Sequence, residues 1–302
     1  MNPGPAEALN CIHEFVLIDS PPRHARDILI EIALTKAWFT NKTDAQDAAD
    51  RWHKVFLQRI VAHLNDFGEA GRITTFTINS SSPYHIQGAS FIEPHDSSAV
   101  RREKANRILL KNCESFLKTI SFENFEALCA GMLLELGAQR PTITASTRDE
   151  GIDFYGRLKL DQILAHGRTL PIFERQLTLW MVGQAKHFQN LDVSTPDIRE
   201  LVGSVHLARS RAYSTDADTR YMDLTIRPCD SIFYMFFTTG QISRDGWRLL
   251  KTSGVVGMDG PMVAAFLVDR SIGIHQNAFS APALNKWLAT SLSKCTRLGD
   301  TK

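Results

Sequence analysis

The first ninety residues switch between helical and extended spacing of their apolar positions. Phe15-Val-Leu-Ile18 reads as a short strand, stopped by Pro21-Pro22. Ala25 to Phe39 reads as a helix whose oily side is Ile28, Ile30, Ile32 and Leu34. Thr43 is placed to cap a second helix, where Trp52, Phe56, Ile60 and Leu64 recur at helical spacing before Gly68 and Gly71. Ile73–Ile78 and Tyr84–Ile86 then flank Ser80-Ser-Ser-Pro83 as a hairpin. Helices followed by a hairpin fit a winged helix, and equally a small α+β adaptor whose partner is a protein.

Glu93-Pro-His-Asp-Ser-Ser98 is a polar break, and a helix follows it. Arg101, Lys104, Arg107 and Lys111 fall on one side of its wheel; Ala105, Leu109, Cys113, Phe116 and Ile120 fall roughly opposite. Cations at this spacing suit a phosphate backbone, although a solvated helix face has the same pattern. The next helix carries the stripe Phe122, Phe125, Cys129, Met132, Leu133 and Leu136, with Glu126 at its edge. A carboxylate there needs a partner or a route to water.

Two stretches break the apolar pattern where strands are expected. Asp153 stands between Ile152 and Phe154 at a strand end, after a loop that holds Asp149 and Glu150. Further on, an apolar run from Leu177 to Val182 meets Gln184 and Lys186, which share a face because strand side chains alternate. An acid, an amide and an amine converging on a sheet edge suit a divalent metal and a phosphate. Between them, Lys159–Gln176 read as an insertion, a lid or a dimer contact, with a helix at Leu160–Ala165. Beyond them, Thr195-Pro-Asp opens a helix, Ile232–Thr238 and Val255–Met258 are buried strands, and Ser243 and Asp259 cap helices. A last helix runs through Leu284, Trp287, Leu288 and Leu292. Strand–helix alternation of this kind predicts an α/β fold with a mixed sheet flanked by helices.

Set in order, Phe125-Glu-Ala-Leu128, Asp153, Gln184-Ala-Lys186, Glu200-Leu-Val-Gly203, Phe237-Thr-Thr-Gly240 and Val256-Gly-Met-Asp-Gly260 resemble the PD-(D/E)xK nuclease superfamily. The closest branch in this resemblance is the Mrr-like restriction endonucleases, over roughly residues 119–270. The resemblance implies a restriction-endonuclease-like core at 119–302, a connector helix at 96–118 and an N-terminal recognition or adaptor domain at 1–95. It implies a metal-dependent endonuclease on double-stranded DNA, in prokaryotic restriction or antiviral defence, with a homo-oligomer or a defence protein as partner. Asp153, Gln184 and Glu126 would hold Mg²⁺ (or Mn²⁺), and Lys186 would stabilise the charge developing on the scissile phosphate. Thr238 and Thr239, ending their strand beside the site, would touch phosphate, as would the stripe Arg101, Lys104, Arg107 and Lys111. Three features depart from the pattern: Gln184 replaces the superfamily's usual second acid, Glu150 replaces a more common Gly, and the spacing from Asp153 to Gln184 is long. The alternatives are a nuclease on RNA or branched DNA, and a non-catalytic DNA-binding or assembly subunit that keeps the fold.

Bulk composition changes this picture little. With 302 residues and 43% apolar positions the chain can bury one large core or two ordinary ones. A net charge of +1 gives no global attraction to nucleic acid, so basic surface has to be local. Five scattered cysteines without a CxxC pair argue against zinc and disulfides and fit a reducing cytoplasm. No apolar run is long enough to span a bilayer, and Met-Asn-Pro-Gly-Pro does not read as a signal peptide. The expectation is a soluble cytoplasmic protein.

Overall fold

The computed structural model describes residues 3–144, 151–158, 178–188, 192–210 and 224–298, apart from the side chains of 192, 208 and 209. Asp149, Glu150 and the expected insertion Lys159–Gln176 lie outside the described residues. The chain divides into two compact units, Met1–Leu110 and Lys111–Lys302.

The first unit runs α1 (Pro5–Cys11), a 3₁₀ turn (Ile12–Glu14), β1 (Arg23–His24), α2 (Ala25–Thr35), α3 (Lys42–Glu69), β2 (Phe76–Ile78), β3 (His85–Gly88) and α4 (Ser98–Arg107). Its antiparallel sheet has the order β1-β3-β2. Helix, strand, two helices and a hairpin, with the second hairpin strand central, is the element order of a winged helix. The core holds Ile28, Ile30, Ile32, Phe56 and Ile60, as expected from the helices, together with Leu29 of α2 and Ile86 of β3, while Leu34 is only partly buried. Three local expectations change. Phe15–Ile18 is not a strand, because Val16 N–H closes a helical turn on Ile12 O and Leu17 N–H bonds the Ser20 hydroxyl. The cap of α3 is Asn41, whose side chain accepts from Asp44 N–H, rather than Thr43. Gly68 lies inside α3 rather than ending it.

The helix expected across residues 96–118 is two helices, α4 and α5 (Leu110–Leu117), broken at Ile108–Leu109. No residue of α4 is buried, whereas Leu110, Cys113 and Leu117 of α5 are. A helix that is polar all round has nothing to hold it in line with an amphipathic one.

The second unit is built on a six-stranded mixed sheet. Its strands are β4 (Ala138–Ile143), β5 (Phe154–Leu158), β6 (Leu179–Lys186), β8 (Ser231–Thr238), β10 (Val256–Met258) and β13 (Thr296–Arg297), in the order β10-β8-β6-β5-β4-β13. The pairs β4–β5 and β5–β6 are antiparallel, and the rest are parallel. Short strands β7 (Asp192–Val193) and β9 (Gln241–Ile242), and β11 (Ile274–His275) and β12 (Ala278–Phe279), form two small ribbons. Helix α6 (Phe122–Glu135) covers one face, where Leu133 approaches Gly156. Helix α10 (Ala281–Leu292) packs on α6, and Trp287 Nε1 donates to Glu135 Oε1 at 3.1 Å. Helix α7 (Thr195–Ser210) covers the other face, placing Ile198, Leu201 and Val205 against Tyr155, Trp180 and Val182. Next to α7 lies α8 (Arg244–Ser253), and α9 (Gly260–Asp269) packs against β8 and β10. Ser243 and Asp259 cap α8 and α9 as expected. The start of α7 is instead held by Ser194, whose N–H and hydroxyl both donate to Asp197.

Strand β4 went unpredicted. Its segment Gln139-Arg-Pro-Thr142 has no alternating pattern, because the ladder shifts register there and Arg140 takes φ 43°. Phe122 and Leu136, read as part of the apolar stripe of α6, lie at its two ends and are exposed.

Gly183 shows how tightly the centre of the sheet is packed. A Cβ there would lie 2.3 Å from the ring of Phe154 and 2.9 Å from Met235 O. Phe154 in turn stacks on Phe237, with centroids 5.5 Å apart. Gly183→Ala is therefore expected to destabilise the fold by about 1–3 kcal/mol through overpacking. Urea unfolding checks this, and an unchanged midpoint would show that the ring can move aside.

Candidate active site

Asp153 immediately precedes β5, at the start of that strand rather than its end. Because β5 runs antiparallel to β6, this start lies beside the C-terminal end of β6, where Gln184 and Lys186 stand. The pairs Tyr155↔Val182 and Phe154↔Gly183 continue to put Asp153 alongside Gln184. Backbone bonds hold Asp153 from both sides: its N–H donates to Gly183 O at 3.0 Å, and its carbonyl accepts from Thr144 N–H at 3.0 Å. Its Oδ2 accepts from Ala185 N–H at 2.7 Å, so the carboxylate is tied across the strand pair. Asp153, Gln184 and Lys186 thus converge at one end of two adjacent strands.

Gln184 is 2% exposed. With its amide nitrogen donating to Asp197 O at 3.2 Å, its oxygen accepts from Lys186 Nζ at 3.2 Å. Lys186 Nζ also lies 3.3 Å from Glu200 Oε2 on α7. The sequence singled out the Glu200 segment as a helix of the resemblance, but nothing in its local pattern pointed to a contact with Lys186. A glycine two residues before Asp153 makes room for α7. Gly151 has φ +67°, and a Cβ there would lie 2.6 Å from Ser204 Oγ and 3.3 Å from Glu200 Cγ.

Glu126 comes from α6, on the opposite side of the sheet from α7. Sequence spacing put it at the edge of an apolar stripe, but α6 is buried on every side from Phe125 to Leu133, and Glu126 is only 4% exposed. Burial, and after it the Asp153 charge, push the Glu126 carboxyl up to about 8. Burial also raises Asp153 to about 6; the Ala185 N–H and Lys186 pull it down, and Glu200 adds a small upward push. Asp153 titrates first, so Glu126 loses its proton in the presence of an existing negative charge. Two buried carboxyls whose pKa values stay raised, although Lys186 acts on Asp153 and Arg297 on Glu126, are hard oxygen donors suited to a divalent metal. Among the described residues, no three His, Cys, Asp or Glu side chains close a metal cage. A pair of carboxylates fits an ion such as Mg²⁺, which keeps several waters and takes substrate phosphate as a ligand.

The expected phosphate contacts are placed less simply. Thr238 pairs in register with Lys186, but Thr238 and Thr239 are both fully buried. The Thr238 hydroxyl accepts from Gly240 N–H, and the Thr239 hydroxyl bonds Phe188 N–H and O. Arg101, Lys104 and Arg107 belong to the first unit and Lys111 to the second, so the four do not form one helix face. Arg101 donates to Asp96 O and Pro94 O, Lys104 pairs with Asp96 at 2.8 Å, and Arg107 pairs with Glu103.

The raised carboxyls predict a pH dependence with a definite sign. A carboxyl whose folded pKa lies above its unfolded value contributes stability that is present at low pH and lost as pH rises through the folded pKa. Metal-free protein should therefore lose stability between pH 5 and 8, at roughly the Glu126 and Asp153 values of about 8 and about 6. Glu126→Gln should flatten that fall and raise the melting temperature at pH 8. Thermal melts in EDTA across this range check it; an unchanged slope in the variant would place the titrating group elsewhere.

Residues 117–215 match the family model Mrr_cat, described as a restriction endonuclease. No curated protein matches the chain. Two solved structures are similar. The MspJI restriction endonuclease, in complex with a 27-mer oligonucleotide, shares 18% identity at a TM-score of 0.38, covering 69% of this chain and 42% of that one. The DNA modification-dependent restriction endonuclease AspBHI shares 18% identity at a TM-score of 0.37, covering 71% of this chain and 47% of that one. The chain spans less than half the length of either. Among the described residues no helix is long and apolar enough to cross a membrane. Residues 117–215 thus match the catalytic domain of Mrr-like restriction endonucleases, and the mixed sheet flanked by helices fits a PD-(D/E)xK-like core.

Proposed function

We propose that this protein is a Mg²⁺-dependent endonuclease of the type IV, Mrr-like kind, hydrolysing phosphodiester bonds of double-stranded DNA in prokaryotic restriction or anti-phage defence. The observation that carries this reading is the convergence of Asp153, Gln184 and Lys186 at the shared end of β5 and β6, with the buried Glu126 carboxyl of α6 within electrostatic reach of Asp153. Glu126 and Asp153 would hold the metal, with the Gln184 oxygen as a further donor once it leaves Lys186. A divalent ion there supplies a Lewis acid that neutralises charge on the phosphate and acidifies the attacking water. The Lys186 ammonium stabilises the negative charge that develops on the phosphate oxygens as the bond to the attacking oxygen forms. Burial of Glu126 and Asp153 lowers the local dielectric and strengthens each of these interactions.

Nicking of a supercoiled plasmid with Mg²⁺ and with EDTA tests the activity. Asp153→Ala and Lys186→Ala should each keep the fold and lower cleavage by on the order of 10²–10³-fold. Wild-type cleavage by Lys186→Ala would remove the role assigned to the amine. Cleavage of RNA or branched DNA in preference to duplex would move the substrate class, and cleavage of nothing would favour a non-catalytic DNA-binding subunit.

In this reading the first unit, with its winged-helix order, is the recognition module. Backbone phosphate contacts then fall to Arg101 and Lys111, which are exposed, rather than to Lys104, whose ammonium is committed to Asp96. Replacing Arg101 and Lys111 by Ala should flatten the salt dependence of DNA binding by roughly 0.9 log units of slope per lost contact. Lys104→Ala should leave the slope unchanged. An unaltered slope in the double variant would show that neither residue meets phosphate.

A further inference from the structure

We infer that Glu200 is a positioning residue that holds the Lys186 ammonium in place at the end of β6. The inference rests on the active-site reading above. Lys186 has a long side chain on the last residue of a strand, is about a quarter exposed, and has four methylenes free to rotate. An amine in that position needs a fixed partner if it is to meet the phosphate without first being ordered.

The structure supplies the partner from a rigid element. Glu200 Oε2 lies 3.3 Å from Lys186 Nζ, and the Gln184 oxygen lies 3.2 Å from the same nitrogen. The other end of the Gln184 amide is fixed by Asp197 O, one turn earlier on α7. One helix therefore orients both polar side chains of β6, Gln184 through a backbone carbonyl and Lys186 through a carboxylate. Its own position is set by Ile198, Leu201 and Val205, all fully buried against the sheet. Gly151, at φ +67°, leaves space for Glu200 Cγ and Ser204, which a Cβ would approach to 3.3 Å and 2.6 Å. Helix packing, strand register and a left-handed glycine all converge on this ion pair, which distinguishes it from an incidental surface contact.

A positioning role predicts a specific split among observables. Glu200→Gln should lower kcat on supercoiled plasmid by about 10–100-fold, the range seen when a residue supporting an active-site group is removed. KM, the melting temperature and Mn²⁺ affinity by calorimetry should stay within twofold, as roughly expected when the loss is confined to the transition state. Glu200→Asp should recover part of kcat. A readout independent of cleavage is the ¹H–¹⁵N resonance of the Lys186 ammonium. It should be visible in the wild type, be assigned by its absence in Lys186→Arg, and be lost in Glu200→Gln.

Persistence of that resonance unchanged in Glu200→Gln, or its absence from the wild type, overturns the proposal. A parallel fall in Mn²⁺ affinity also overturns it, because Glu200 would then be a metal ligand. If the wild-type protein cleaves nothing, the active-site reading fails, and the resonance still decides whether Glu200 holds Lys186.

Discussion

The site exists only because β5 and β6 pair in one register. Side chains alternate along a strand, so a slip of a single residue would send Asp153 to the α6 face while Gln184 and Lys186 stayed on the α7 face. The ladder from Leu158↔Leu179 to Phe154↔Gly183 is short. It is extended by two bonds beyond the last strand pair: Asp153 N–H to Gly183 O and Ala185 N–H to Asp153 Oδ2. The second bond joins the candidate metal ligand directly to the backbone of the strand that carries the amine. Gly183, between these contacts, admits the Phe154 ring that locks the opposite face. Packing on one side of the sheet thereby fixes the candidate site residues on the other.

Charge is brought to this edge from both helical layers. Helix α6 contributes Glu126 through a wholly buried turn, and α7 contributes Glu200 and the Asp197 carbonyl. Burying carboxylates costs free energy unless they are neutralised, and the raised pKa values of Glu126 and Asp153 are the signature of that cost. In metal-free protein near neutral pH the cheapest answer is a proton on Glu126. A divalent cation held by both carboxylates would displace the proton and offset both charges, which would couple metal binding to pH.

What was legible in the sequence divides along the same line. Gln184 and Lys186 could be placed on one face because strand periodicity is local, and Asp153 stood out as an acid between two apolar residues. The buried strands β8 and β10 and the caps at Ser243 and Asp259 were readable for the same reason. Strand β4 was not, because Arg140 and Pro141 occupy a register shift, and a bulge erases alternation. Glu126 looked like an edge residue because the pattern of α6 alone cannot reveal that α10 covers its other side. Arg101 donates to the backbone carbonyls of Pro94 and Asp96 and Lys104 to the Asp96 carboxylate, and no charge count reveals those partners. Glu200 meets Lys186 only after α7 docks, a tertiary event that no spacing in either segment foreshadows.

The amide at 184, which looked like a weakened version of an acid, has its own structural logic. A side chain 2% exposed at that position faces a backbone carbonyl on one side and an ammonium on the other. An amide satisfies both, donating to Asp197 O and accepting from Lys186 Nζ, whereas an ionised carboxylate has no proton for the carbonyl. A glutamate there would set two oxygens against each other in a buried space, and α7 would have to retreat or the acid take up a proton. The same retreat would carry Glu200 away from Lys186. Gln184 is therefore part of the mechanism that docks α7, and the negative charge it lacks is supplied on the far side of the amine by the helix it helps to seat.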